Sequence, residues 1–528
     1  MFKFLNSAVF TAQLIATVTP VLGQGQPIIH TQELILEDPD GHTGFGSAAE
    51  WVEPYLVVVN RQQKQINLLK RTSHGWIHLD QVEDSTPGFG LFGNRIAVNQ
   101  DWIFVSNPSH DSNSGLVSIF RRIEERLVRT GQIFSPVQGL AGFGSELSSA
   151  GEWLVITSPS QDDSTGAAHA YQLQGQEWVR VQELQSSIPG SSVFGADCAI
   201  SESGVLVIGQ LENLGGTLHV YTLVNGQWTL DQLLEDPNVI SPINSVDRFG
   251  TAIAISQDGR RIVAGDLHGE AAGVFFAGEA FIYERLGPPG TSTWAEVGNL
   301  RASNDFINIG SATARFGQTV AIHGNTVLIG SPNAIGQTDP LDGAIYGYSP
   351  DVNGSWPTFE NFRLVRSPST GQGVGRSLEF DGSTVFTGPD VGFSGLSIFE
   401  LGEGSVRCAG LPGASLDVLG NPMRSDFTVS IHDVAPGARV QLCVALNNNT
   451  PIAPSPTTGL CLPAEFLRVG VPVEAGLGGD VYIAGLRLPR ILDCQPALCG
   501  SSLILQAVIT PAPLGPFLTS QAVSLPLN

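Results

Sequence analysis

The sequence predicts an all-β protein, a seven-bladed β-propeller followed by a C-terminal β-sandwich. Three observations predict it. A unit of four strand-length segments recurs along most of the chain. The last unit lacks a fourth segment, and the residues ahead of the first unit supply one. Beyond Arg407 the unit gives way to a different alternating pattern rich in cysteine.

The clearest copy of the unit runs from Gly142 to Leu184. Its four segments, SELSSA, EWLVITS, AAHAYQL and EWVRVQEL, are separated by clusters of Gly, Ser and Asp. Short apolar or alternating runs between such clusters read as strands joined by turns. A meander of this size cannot bury both of its faces alone, so it needs copies on either side.

The copies are marked by a Phe-Gly pair at Phe45, Phe92, Phe143, Phe194, Phe249 and Phe316, with Val374-Gly375 as a degenerate seventh. Spacing is about 50 to 65 residues, the range of propeller blades and longer than helical repeats. Each anchor is followed by an apolar segment (WIFVSNP, WLVITSP, VLVIGQ, RIVAGD, TVLIGSP, TVFTGP), and then by a Gly-led alternating one (GLVSIF, GAAHAY, GTLHVY, GEAFIY, GAIYGY, GLSIFE). A Trp-led fourth segment is expected at Trp76, Trp178, Trp228, Trp294 and Trp356.

The Phe-Gly pairs, the small-small-Pro endings (Ser158-Pro159, Ser331-Pro332, Gly388-Pro389) and the Gly-led third segments resemble the FG-GAP repeat, the blade unit of integrin-α-like propellers. The resemblance covers about Thr31 to Gly404. It implies a radial array of sheets about a central channel, with first strands nearest the axis, and a binding platform. In calcium-binding members the first turn of a blade carries a D-x-D-x-D-G-type loop, because calcium takes many oxygen ligands. Here those turns read SSAGEW, SESGVL, SQDGRR, HGNTV and FDGSTV, with at most one acid each. No metal or other cofactor is expected.

Taken in order, residues 1–23 read as a secretory signal, with Lys3 before a mostly apolar run from Ala8 to Leu22 and small residues ahead of Gln24. The run is short of the roughly 20 apolar residues that a membrane span needs. Thr31–Glu37 (TQELILE) matches the fourth segments VQEL and DQLL, and the last unit has none of its own, so the N-terminal segment is expected to complete the seventh blade. Sharing a blade between chain ends leaves no open sheet edge. The propeller is assigned to residues 24–406.

Loops between second and third strands are the longer and more varied ones. Their polar residues Asp111, Asp162, Asp163, Asp266, His268, Asp339, Asp342 and Asp390 are the candidate ligand-binding set on one rim, since variable loops on a rigid scaffold commonly carry function. Residues 407–528 read as the β-sandwich. Cys408, Cys443, Cys461, Cys494 and Cys499 crowd there and are disulfide candidates in an exported chain, with connectivity open. Cys198, in a first strand, reads as a buried free thiol.

A net charge of −23, with no basic stripe, argues against nucleic-acid or anionic-membrane partners. No HExxH, G-x-S-x-G or P-loop is present. GTSTW at Gly290–Trp294 lacks the Asp of sialidase repeats. The sequence therefore reads as a secreted, monomeric, non-enzymatic binding or adhesion protein for an extracellular protein or glycan. An exported hydrolase using carboxylates at the channel mouth, or a passive matrix component, are the alternatives.

Overall fold

The computed structural model describes residues 28–38, 40–72, 75–86, 91–188, 193–212, 215–238, 248–269, 277–287, 293–302, 314–334, 343–351, 354–364, 374–388 and 395–403, together with the C-terminal strands named below. The expected signal at 1–23 lies outside them. No described helix is long and apolar enough to cross a membrane.

Seven four-stranded sheets form the propeller. Blade 1 comprises Phe45–Val52, Tyr55–Asn60, Gln65–Thr72 and Gly75–Glu83. Blade 2 comprises Ile96–Asn99, Trp102–Asn107, Leu116–Ile123 and Arg126–Phe134. Blade 3 comprises Leu147–Ala150, Trp153–Ser158, Ala167–Gln174 and Glu177–Leu184. Blade 4 comprises Phe194–Ile200, Val205–Glu212, Gly215–Val224 and Gln227–Glu235. Blade 5 comprises Phe249–Ile255, Arg261–Asp266, Glu279–Leu286 and Thr293–Leu300. Blade 6 comprises Thr319–His323, Thr326–Ser331, Ala344–Tyr348 and Phe362–Leu364. The seventh sheet takes Glu379–Phe380, Thr384–Thr387 and Leu396–Glu403 from late in the chain, and its outermost strand, as expected, is N-terminal, Ile28–Leu36. The first strands of blades 1 to 7 touch in a closed cycle, blade 7 meeting both blade 6 and blade 1.

Sequence pattern follows position in the blade. Second strands such as Trp153–Ser158 are buried at every residue, because a sheet lies against each of their faces, and they read as unbroken apolar runs. Fourth strands such as Glu177–Leu184 are mostly exposed or half-buried, with Trp178 and Leu184 packed inward. The anchor rings Phe45, Phe92, Phe143, Phe194, Phe249 and Phe316 are at most 1% exposed. Phe143 sits among Val117 and Ile119 of blade 2 and Leu154 and Ile156 of blade 3, so it fills the seam between them. Full burial of such a ring contributes about 1.5–3 kcal/mol.

The anchor glycines bring neighbouring backbones together. A Cβ on Gly388, at the end of the second strand of blade 7, would lie 1.9 Å from the carbonyl oxygen of Gly46 in blade 1. Gly265 stands in the same relation to Gly317, at 2.0 Å. The close approach is therefore between adjacent blades, more than at the axis.

One fourth strand departs from expectation. Trp356 lies outside any strand, and blade 6 ends in Phe362–Leu364 instead. Pro357 follows Trp356 and has no N–H to give to a ladder. The indole packs instead on blade 5, its Cβ 2.9 Å from where a Cβ on Gly298 would stand.

The chain divides into two compact units, one holding Ile35–Phe359 and Pro368–Ser397 and the other holding residues 28–34, Glu360–Ser367 and Ile398–Asn528. Within the latter, one sheet orders Ser405–Cys408, Ala522–Pro526, Ser502–Thr510, Arg439–Asn447 and Leu467–Glu474, with Leu518–Thr519 paired to Ser502–Thr510. A second orders Ser415–Leu419, Phe427–His432 and Val481–Leu486. Cys408 and Cys443 fall on these strands, while Cys461, Cys494 and Cys499 lie outside the described residues. Cys198 is a buried free thiol.

Candidate functional site

Two places concentrate polar chemistry. The first is a cleft of about 930 Å³ between the second-to-third-strand loops of blades 2 and 3. The loops are sequence twins, PSHDSNSG from Pro108 and PSQDDSTG from Pro159. Each places three successive residues in the left-handed region: Asp111, Ser112 and Asn113 (φ 44, 57 and 68°) and Asp162, Asp163 and Ser164 (φ 51, 57 and 71°). Short polar side chains tolerate that region best, and a β-branched residue there would be strained. Each turn closes on itself, the N–H of Gly115 reaching the carbonyl of His110 at 3.0 Å and that of Gly166 the carbonyl of Gln161 at 3.0 Å.

The cleft walls are fastened together. The N–H of Gly142 donates to the Asn113 carbonyl at 2.9 Å, and the N–H of Ser160 to the Ala141 carbonyl at 3.2 Å. Behind the wall, Gln161 is 3% exposed and accepts from Nε2 of His169 at 3.0 Å. Burial, then the nearby Arg180 charge, pushes His169 down to about 4, so the ring is neutral and serves as a prop. Asp162 and Asp163 line the cleft, and Asp111 is exposed on the companion turn.

The other expected rim residues are not brought here. Asp266 is 1% exposed, and its carboxylate takes the N–H groups of Arg248 and His268 at 3.0 and 3.1 Å. It organises its own loop. His268 is half-buried beside it. Asp339, Asp342 and Asp390 lie outside the described residues.

The second place is the axial channel, about 210 Å³, walled by first strands. Glu50, Arg95, Glu146, Asp197 and Arg376 line it. Arg95 is ion-paired with Glu146. Burial raises the Glu146 carboxyl against the pull of Arg95. Asp197 is pushed well up by burial and by Glu146, although it accepts the N–H groups of Cys198 and Ile253 at 2.7 and 2.6 Å. Burial holds Glu50 up at about 8. Glu379, on the blade 7 first strand, is raised well above the usual carboxylate range by burial, then by Glu50 and Asp381. Counted from the anchor Phe of their blades, Arg95, Glu146 and Asp197 are the third residue on and Glu50 the fifth, and Glu379 is the fifth from the degenerate anchor Val374. That count was the available signal, and the sequence reading named none of the five.

Asp38, Asp40 and His42 bring one ligating atom each within 4.8 Å of one another. Asp38 is already occupied, taking Nδ2 of Asn60 at 2.8 Å and the N–H of Asp40 at 2.8 Å, and so closes the loop into blade 1.

No family model and no curated protein matches the chain. Solved structures of similar chain path include the Dos1 propeller, at 10% identity and TM-score 0.41, covering 69% of this chain and 80% of that one. Streptogramin B lyase is similar at 12% identity and TM-score 0.42, covering 71% of this chain and 98% of that one. A functionally unknown protein from Desulfotomaculum acetoxidans DSM 771 is similar at 12% identity and TM-score 0.40, covering 64% of this chain and 90% of that one. Likeness at this level carries nothing about activity.

Proposed function

We propose that the chain is a secreted, non-enzymatic binding protein, an FG-GAP-like propeller with a disulfide-bearing C-terminal β-sandwich, which presents its loop rim to an extracellular protein or glycan. The observation that carries this reading is the cleft between the twin loops. It is concave, large enough for a ligand, lined by groups that can both donate and accept, and fixed in shape by hydrogen bonds that need no partner. Replacing Pro108–Gly115 and Pro159–Gly166 by tight turns should abolish saturable binding to a panel of extracellular proteins and glycans, in a protein that melts at a lower temperature but still cooperatively. Undiminished binding would defeat the proposal.

A second reading rests on one group. Glu50, held up at about 8 by burial, is protonated at neutral pH, as a general acid must be. Turnover of glycosides or esters by the wild type, lost in Glu50→Gln, would favour a channel hydrolase over a binding protein.

A further inference from the structure

We propose that the cleft between the blade 2 and blade 3 loops takes a neutral oligosaccharide. This rests on the reading of the rim as the binding face, and goes on to name the ligand class. Charge narrows the choice first. Asp162 and Asp163 are the only ionisable side chains in the described lining, which holds no Lys, Arg or His. A phosphorylated, sulfated or sialylated ligand would meet two carboxylates and no counter-charge.

Hydrogen-bonding chemistry narrows it further. Ser109, Ser160 and Ser164 offer hydroxyls, and Asn113 and Gln138 offer carboxamides. A hydroxyl both donates and accepts, a carboxamide presents one group of each kind, and a carboxylate only accepts. A ligand dense in hydroxyls satisfies all three with one kind of group, whereas the ammonium groups of a Lys-rich peptide would be drawn to the carboxylates alone. The lining also lacks the Trp, Tyr and Arg that anchor protein partners.

The apolar part fits the same ligand. Leu140 projects from the 135–142 segment with 69% of its surface exposed, and Val137 and Pro108 lie near it in the lining. These are small aliphatic groups set among the polar ones, and they can make van der Waals contact with the C–H groups of a sugar. The volume, about 930 Å³, is at the upper end for small-ligand pockets and leaves room for several sugar rings. The left-handed turns and their cross-ties hold the groups in place beforehand, which lowers the ordering cost of binding.

The test is an array of immobilised neutral oligosaccharides, sialylated and sulfated oligosaccharides and Lys-rich peptides, followed by titration with the best neutral hit. Neutral oligosaccharides should be retained and anionic ones not. Asp163→Asn and Leu140→Ala should each weaken binding about tenfold. Asn tolerates the left-handed backbone at 163, and Leu140 is exposed, so melting should stay at the wild-type value in both. Preference for anionic glycans or for Lys-rich peptides would overturn the assignment, as would no neutral binding at about 1 mM or affinity unchanged in both variants. The twin-loop replacement separates the two levels. If it abolishes binding to a ligand that is not a neutral sugar, the rim reading stands and the sugar does not. If it leaves binding intact, both fall.

Discussion

The side chain of Gln182 holds both backbone polar groups of Trp228. Its Oε1 accepts the Trp228 N–H at 2.8 Å, and its Nε2 donates to the Trp228 carbonyl at 2.9 Å. The residues lie on the fourth strands of blades 3 and 4, so one carboxamide extends hydrogen bonding across a seam where no ladder runs. Gln232 repeats the clamp on Trp294 between blades 4 and 5, at 2.8 and 3.1 Å. A bulge in each fourth strand precedes the glutamine, at the Ala170/Tyr171 and Val220/Tyr221 register shifts, and turns it toward the neighbour.

Gln182→Ala should therefore destabilise the propeller by about 1–3 kcal/mol, because two backbone groups lose their partner at once. Gln182→Glu keeps the acceptor and loses the donor, so it should fall between wild type and alanine near neutral pH. Denaturant unfolding of the three proteins checks the order. An alanine variant as stable as wild type would show the clamp to be idle.

Gly388→Ala should cost about 3 kcal/mol or more, the upper part of the range for overpacking, since the new methyl would press on the Gly46 carbonyl. Gly354→Ala offers a contrast, because its Cβ would meet nothing within 4 Å and only its positive φ opposes the change. Thermal melting of both variants measures the difference. Equal, small shifts would mean that blades 7 and 1 can part without loss.

Glu50 should make stability fall as pH rises from about 4.5 to 8, against an opposite contribution from His169 and His219, whose lowered values make stability rise between about 4 and 6.5. Glu50 titrates at about 8 in the folded chain against 4.5 for the free group, so between those values the folded form holds a proton that the unfolded form has released. Its contribution is complete below about 4.5 and gone once pH passes about 8. Glu379, raised by burial, Glu50 and Asp381, acts in the same direction. Glu50→Gln should flatten the dependence and raise the unfolding midpoint at pH 8. An unchanged slope across that window would contradict this.

Deleting Ile28–Leu36 should lower the melting temperature by at least about 5 °C, because it uncovers the third strand of blade 7 along its whole edge. A truncated chain that melts with the intact one would show the strand to be dispensable.

Most of the fold was legible because the features that build it repeat. Phe143 and Phe194 fill the same seam position, and each stands before a glycine that lets the next backbone close in. The Gln182 and Gln232 clamps were missed, although Trp-x-x-x-Gln recurs from Trp178 and from Trp228. A glutamine on an alternating strand reads as solvated surface, and only the bulge redirects it. Glu50 and Asp197 were missed for a related reason: a carboxylate's burial depends on the other blades, which no local pattern contains. The rim was legible as a set of loops, yet its described polar residues have different fates. Asp162 and Asp163 face a cleft because two long loops happen to be neighbours, while Asp266 turns inward to bind its own backbone.

The blade 7 seam also sets a timetable. Ile28–Leu36 emerges from the ribosome early, but Leu396–Glu403, the strand it pairs with, is among the last parts of the propeller to be made. At usual elongation rates the interval is on the order of 20–70 s. Blades 1 to 6 can stack one after another as they appear, whereas the N-terminal strand waits unpaired until the end. A chain stalled before residue 396 is thus an open arc with a loose adhesive ribbon at its head. Nascent propellers crowded on one message are then at risk of trading that ribbon with one another.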